Sequence, residues 1–413
     1  MKRPTFLFVL LGVLVLSCID SNGSGTPSTP EPPSKDLDYL VDASYVGIIE
    51  PQTLALALTG LGYESFAPLL KSEVEFYKVT YTTQYKKEDI TASGVLMVSK
   101  ELDANFPTVV YEHGTITQDE APSIKLGATA NPSREVYMGL SIASMNNCAV
   151  LIPDYIGYGE SEEIPHPYLH NETLGQASLD FIRACAEVTN DNLKEEWMNK
   201  NLFITGYSEG GHAAVALQKT IQETSNTGYT IAKVLAGAGA YDQYNFAKEF
   251  LSKTEDLDAH TVSSYLWVLD MYKKDYDYSK DYEDMFSSTD YSLLEGINFN
   301  MGYFNPEALT TLNTNPQSLF KEDFRTGVIE DSDTEFISIL NENSLTNFAP
   351  KDSLIFVYGT NDTWVYPSCT VNTYTAMAAK GCKVRAYPLP GGNHTTTLPY
   401  YLRLLLNRLQ TYQ

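Results

Sequence analysis

The stretch Leu202-Phe203-Ile204-Thr205-Gly206-Tyr207-Ser208-Glu209-Gly210-Gly211-His212 governs how the rest of the chain is read. Residues 202–205 form a short apolar run with the length and β-branching of a buried strand. Residues 210–224 follow with a helical pattern. Between them stands Gly-x-Ser-x-Gly, and a strand-turn-helix is the context in which that motif bends sharply and exposes a serine hydroxyl. The flanking glycines fit such a bend, because it strains the serine backbone and brings strand and helix close together. Ser208 is therefore the candidate nucleophile.

Working outward, further apolar runs of strand length occupy residues 108–111, 149–152, 231–235, 354–358 and 383–388. Helical patterns separate them at residues 173–188, 370–379 and 399–409. Alternating strands and helices predict an α/β fold, a mostly parallel sheet with helices on both faces. Residues 75–85 and 90–99 alternate apolar and polar positions across a polar turn, so an antiparallel pair makes the sheet mixed. Residues 36–72 read as helices and loops. Residues 241–349 contain no strand-like run and predict a helical cap inserted over the active edge, leaving residues 37–240 and 350–413 as the core.

A serine hydroxyl needs a base to take its proton, and the base needs an acid to orient it. In a hydrolase sheet of this kind the order along the chain is Ser, acid, His, each on a loop after a strand. His394, in Gly391-Gly392-Asn393-His394, follows the last predicted strand. Asp362, in Gly359-Thr360-Asn361-Asp362, follows the strand at 354–358. Asp352 precedes that strand and so belongs at the wrong end, while Asp331 and Asp333 fall in the cap. The expected fold is accordingly an α/β-hydrolase with the triad Ser208, Asp362 and His394.

An oxyanion requires two aimed donors. The N–H of Glu209 at the helix start is one candidate. The loop Glu112-His113-Gly114-Thr115 offers the second through His113 and Gly114, with His113 as pocket wall the alternative. The Glu209 side chain is expected to point away. His212 is read as packing, and His166, His170 and His260 as surface or lining residues. Residues 153–161 read as a structural turn, with Tyr155 or Tyr158 as possible pocket walls. Cys148 with Cys185 forms one conceivable disulfide and buried thiols the other reading. No cysteine spacing resembles a zinc site.

The N-terminus reads as an address. Met1-Lys2-Arg3 precedes an apolar run ending Val15-Leu16-Ser17-Cys18. Residues 1–17 fit a lipoprotein signal peptide with Cys18 as the lipid anchor, and residues 18–36 a flexible Ser/Pro/Gly tether. An ordinary secretory signal with an incidental cysteine is the plainer alternative. Anchoring predicts a bacterial envelope location, the outer membrane or cell surface rather than the inner membrane, with the bilayer as a partner.

Composition bounds the partners. The 413 residues carry 52 acidic and 28 basic side chains, a formal net charge of -24. Such a surface repels phosphate backbones and argues against nucleic-acid binding and against electrostatic docking on anionic lipids; solubility is the plain reading of the charge. The 29 tyrosines suit half-buried surfaces that meet amphipathic ligands.

Together these residues resemble the secretory lipase family, fungal and bacterial lipases with a large helical cap. The matching positions are residues 90–96, His113-Gly114-Thr115, Pro153-Asp154-Tyr155, Leu179-Asp180 with Arg183-Ala184, the elbow through His212, Gly359, Asp362, Pro367 and residues 391–394. They spread over most of residues 75–413. The resemblance implies a lipase or carboxylesterase working through Ser208, Asp362 and His394, with lipid or small-molecule ester substrates and no cofactor or metal. Two departures bear on substrate: Glu209 replaces a more usual neutral residue, and the tyrosine-rich cap shows no evident similarity. A carbohydrate acyl or acetyl esterase and a serine peptidase share the same triad chemistry and remain open.

Overall fold

The computed structural model describes residues 38–126, 133–190, 193–287 and 313–412. The expected signal peptide, Cys18 and the tether lie outside the described residues.

One sheet of nine strands organises the chain, ordered β1-β2-β3-β5-β4-β6-β7-β8-β9. The strands are β1 (Leu40–Ile49), β2 (Val74–Tyr85), β3 (Glu88–Ser99), β4 (Thr108–Glu112), β5 (Ala149–Pro153), β6 (Asn201–Tyr207), β7 (Thr230–Gly237), β8 (Leu354–Gly359) and β9 (Val384–Leu389). Strands β4 to β9 run parallel; β1, β2 and β3 join antiparallel at one side. Because β4 lies between β5 and β6, the chain reverses its direction of travel across the sheet there. Such a switch point opens a crevice at the carboxyl ends of the strands.

The helices between strands bury apolar faces on both sides of the sheet. In chain order they are α1 (Pro51–Gly60), α2 (Pro122–Lys125), α3 (Arg134–Asn146), α4 (Asn171–Glu187) and α5 (Glu209–Glu223). After the segment between β7 and β8 come helices Pro367–Ala379 and His394–Leu409. On one face, Phe181 and Ile182 of α4 and Val215 and Leu217 of α5 pack against Leu96, Leu151, Ile204 and Phe356. On the other, Val136 and Leu140 of α3 and Leu402 and Leu405 of the final helix pack against Met97, Ile152, Phe203 and Ile355. The alternation of these strand residues between two clusters is the period-2 geometry of a sheet buried on both faces.

Strand β1 overturns the expectation of helices and loops over residues 36–72. Its pairing with β2 slips at two places, between Leu40 and Asp42 and between Tyr45 and Gly47. Each bulge inserts one residue, Val41 and Val46, and breaks the alternation by which a strand is recognised. The helical part of the region is α1 together with a 3-10 turn over Glu64–Leu69.

Cys148 and Cys185 are both free thiols, as are Cys369 and Cys382. Cys148 packs in the cluster on one face of the sheet and Cys185 in the cluster on the other, so the sheet itself stands between them.

Between β7 and β8 the described residues are helical: α6 (Gln243–Leu251), α7 (Ala259–Asp275), α8 (Tyr282–Met285), α9 (Pro316–Leu319), α10 (Glu322–Ile329) and α11 (Thr334–Glu342). The two later helices are thus α12 (Pro367–Ala379) and α13 (His394–Leu409). These insertion helices share their own apolar cluster, centred on Phe250, Tyr265, Trp267, Leu269, Phe320 and Phe336. Four of their polar joints share one pattern, a carboxylate that meets a tyrosine hydroxyl and a lysine. Asp333 accepts from Tyr278 at 2.5 Å and Lys280 at 2.7 Å, and Asp331 from Tyr244 at 2.7 Å and Lys248 at 2.9 Å. Asp270 is held likewise by Tyr282 and Lys274. Asp275 takes Tyr85 and Lys86 from the tip of the β2–β3 hairpin, joining core to insertion. These tyrosines therefore serve as staples rather than as ligand-facing surface: the phenol neutralises part of the carboxylate's hydrogen-bonding demand while its ring packs on apolar neighbours.

Candidate active site

The turn after β6 is the sharpest feature of the sheet edge. Ser208 caps the N-terminus of α5 with φ 61° and ψ -124°, a conformation that L-residues adopt only under constraint. Its N–H donates to Gly237 O at 2.9 Å, fixing the elbow to β7. The glycines around it have no room for a side chain. A Cβ on Gly206 would meet Gly210 O at 2.1 Å, one on Gly210 would meet Glu112 O at 2.1 Å, and one on Gly211 would meet Gly237 O at 2.3 Å.

Two neighbouring strands deliver the other groups. Asp362 follows β8 and His394 follows β9. Their loops are stitched together by Thr360 N–H to Leu389 O at 3.1 Å and Asn361 N–H to Gly392 O at 2.9 Å. Asn393 caps α13 by accepting from the N–H of Thr396, which sets His394 as the first helical residue.

The three side chains meet. His394 Nε2 lies 2.9 Å from Ser208 Oγ, and His394 Nδ1 lies 2.7 Å from Asp362 Oδ2. Asp362 is 3% exposed, and its second oxygen accepts the N–H groups of Trp364 and Val365, each at 3.0 Å. A carboxylate so satisfied accepts from Nδ1–H, leaving the Nε2 lone pair to take the serine proton. Trp364 also packs its ring 5.1 Å from that of His394 and donates Nε1–H to Ser264 Oγ on α7 at 2.8 Å.

The loop after β4 lies against the elbow. A Cβ on Gly114 would stand 3.3 Å from Tyr207 O and 3.9 Å from Ser208 Cβ. The His113 ring is buried, with Nδ1 2.7 Å from Gly114 O and Nε2 3.1 Å from Asp154 O, so it braces the loop from behind. Three tyrosines hold the same loop: Tyr155 donates to His113 O at 3.0 Å, Tyr158 to Ile116 O at 3.0 Å, and Tyr168 pairs with Thr115 Oγ1 at 2.9 Å. Tyr155 and Tyr158 are at most 1% exposed, so neither lines a pocket, contrary to the reading from sequence.

Glu209, beside Ser208, is 2% exposed and turns its carboxyl inward to His166 Nε2 at 2.6 Å. His166 is fully buried, which corrects its reading as a surface or lining residue. His212 packs as expected from its place on α5, with Nδ1 2.9 Å from Ala240 O, and burial lowers it to about 4. His170 caps α4, and His260 stacks 5.7 Å from Trp364. Beneath the loop, burial pushes the Glu112 carboxyl up to about 8, opposed by its hydrogen bond from Ser178.

Tyr207 is the residue that pattern reading overlooked. Its hydroxyl donates to the carbonyl oxygen of His394 at 2.6 Å. Its place inside the motif marked it only as the variable x. Among the described residues, no group of three His, Cys, Asp or Glu side chains is placed to hold a metal ion.

No family model and no curated protein sequence matches the chain. Solved structures do. An inferred hydrolase from Legionella pneumophila superposes with a TM-score of 0.79 at 20% identity, over 91% of this chain and 98% of that one. The rice cell wall degrading esterase LipA from Xanthomonas oryzae gives 0.72 at 18%, over 91% and 97%. Candida antarctica lipase A gives 0.63 at 15%, over 86% and 77%. The likeness establishes the α/β-hydrolase fold.

Proposed function

We propose that this protein is a serine hydrolase of carboxylic esters, a lipase or carboxylesterase acting through an acyl-enzyme. The observation that carries the reading is the continuous hydrogen-bonded array Ser208–His394–Asp362 on a strained elbow. His394 takes the proton of Ser208 as Oγ attacks the ester carbonyl, and Asp362 stabilises the resulting imidazolium. The tetrahedral oxyanion is met by the N–H of Glu209, in the first turn of α5 where N–H groups lack helical partners, and by the loop at His113 and Gly114. His394 then protonates the leaving alcohol. Water, activated by the same imidazole, releases the acid.

The fold likeness to an esterase and a lipase supports esters over amides. Likeness to a cell-wall-degrading esterase also favours a second reading, removal of acyl groups from glycans. The insertion helices over the sheet's carboxyl edge are proposed to form the cap. Lipid anchoring at Cys18 in the bacterial envelope is proposed from the sequence of residues 1–36 and checked by a shift of the Cys18→Ser variant from membrane to soluble fractions.

The deciding experiment is hydrolysis of p-nitrophenyl esters from acetyl to palmitoyl, with Ser208→Ala as control. Serine-dependent turnover on medium or long chains supports a lipase, and turnover confined to acetyl supports the glycan esterase. Full activity in Ser208→Ala, or no turnover of any ester by the wild type, overturns the proposal.

A further inference from the structure

The segment His166-Pro167-Tyr168 touches both sides of the proposed oxyanion hole. On the helix side, His166 Nε2 holds the Glu209 carboxyl at 2.6 Å. On the loop side, the Tyr168 hydroxyl holds Thr115 Oγ1 at 2.9 Å, one residue beyond Gly114. We propose that Glu209, His166 and Tyr168 are positioning residues that set the spacing between the two oxyanion donors and link it to α7. This rests on the ester-hydrolase reading and adds to it the means by which the hole is held.

The packing leaves the clamp little freedom. His166 Nδ1 faces Ile156 O at 2.6 Å, and a Cβ on Gly157 would meet the His166 backbone at 2.4 Å. Its ring sits among Tyr158 at 4.6 Å, Trp267 at 5.6 Å, Tyr168 at 6.0 Å and Tyr155 at 6.1 Å. Trp267 of α7 stacks on Tyr168 at 4.3 Å with planes 9° apart, so one residue of the insertion rests on both halves of the clamp. The Tyr168 hydroxyl also bonds Ser264, the residue that holds Trp364 beside His394.

Charge explains why an acid is tolerated here. A carboxyl directly after the nucleophile would oppose a developing negative charge in a water-poor site. Instead one carboxyl oxygen meets His166 Nε2 at 2.6 Å, so the acid has a buried hydrogen-bond partner within the protein. Loss of either partner leaves the other buried without its counterpart. In an oxyanion hole, small displacements of fixed donors reach the transition state far more than the bound ester.

The test compares wild type, Glu209→Gln, His166→Gln, the double variant and Tyr168→Phe on the best p-nitrophenyl ester, well below each melting temperature. Expected is a fall in kcat of about 10- to 100-fold with KM within about twofold, since a displaced donor costs less than a deleted one. A boronate transition-state analogue should weaken in parallel with kcat/KM. The double variant should be no worse than the poorer single one, because both remove the same contact. Unchanged kcat in folded Tyr168→Phe, a change in KM alone, or additive losses in the double variant overturns the proposal. Tyr168→Phe removes a single oxygen, so it reads the loop side even where a Glu209 or His166 variant fails to fold. Phosphonylation of Ser208 by a p-nitrophenyl phosphonate exposes the same hole without an acyl pocket. Wild type that is phosphonylated yet cleaves no ester sinks the ester reading alone, with the variant rates still deciding the clamp.

Discussion

Tyr207 donates its hydroxyl to the carbonyl oxygen of His394 at 2.6 Å, so the residue before Ser208 holds the backbone of His394. The Tyr207 ring lies 5.3 Å from the His394 ring and 5.2 Å from that of Tyr401 on α13. Ser208 and His394 thus come from loops 186 residues apart yet are tied through one joint. Tyr207→Phe keeps the ring and loses the joint. Its kcat for ester hydrolysis is expected to fall about tenfold with little change in KM, equivalent to about 1.4 kcal/mol of barrier. An unchanged kcat would show that α13 alone fixes His394.

Asp362→Asn tests the acid at constant shape. The amide can present its NH2 to His394 Nδ1 and so favour the tautomer in which Nε2 carries the proton. That tautomer cannot accept from Ser208. A loss in kcat of about 10³- to 10⁴-fold with a near-native circular dichroism spectrum is expected. Retention of activity within tenfold would point to another acid.

Glu112 gives stability a pH dependence. Its carboxyl ionises near 4.5 in the unfolded chain and is raised to about 8 in the fold by burial. Between those values the folded state keeps a proton that the unfolded state has released, so stability falls as pH rises through the window. Glu112→Gln removes the titration. Urea denaturation at pH 5 and pH 8 should show the wild type losing on the order of 2–4 kcal/mol more than the variant between the two conditions. Equal pH dependence in both proteins would mean that another group titrates.

Gly210→Ala tests the close approach of α5 to β4. The new Cβ would lie 2.1 Å from Glu112 O and 2.6 Å from His113 O, both backbone atoms that cannot turn aside. Destabilisation of about 1–3 kcal/mol is expected, with activity lost before the fold, because the strand carries the proposed oxyanion loop. Thermal unfolding beside ester turnover measures both.

The strands were legible in the sequence wherever their burial was uniform. The run at residues 202–205 became β6, and the run at 354–358 became β8, because strands covered on both faces are apolar throughout. Strand β1 was not legible: two bulges at Val41 and Val46 shift its alternation, and as an edge strand it leaves Val41, Tyr45, Val46 and Ile48 exposed. His166 was misread for a different reason. A lone histidine between two prolines in a loop carries no periodicity, and what buries it arrives from α5 and α7, 43 and about 100 residues further along.

The sequence by itself determined the sheet-and-helix alternation, the strained elbow at Ser208 and the placing of Asp362 and His394 on loops that follow strands. Each of these follows from short-range chemistry: β-branched runs, glycines where a Cβ has no room, and loops that end strands. Only the tertiary structure decided what surrounds those groups. It put Cys148 and Cys185 on opposite faces of the sheet, turned Glu209 inward to His166, and joined Tyr207 to His394. Those pairings depend on strand order and helix placement, which bring residues far apart in the chain within hydrogen-bond reach, and no local pattern encodes such a meeting.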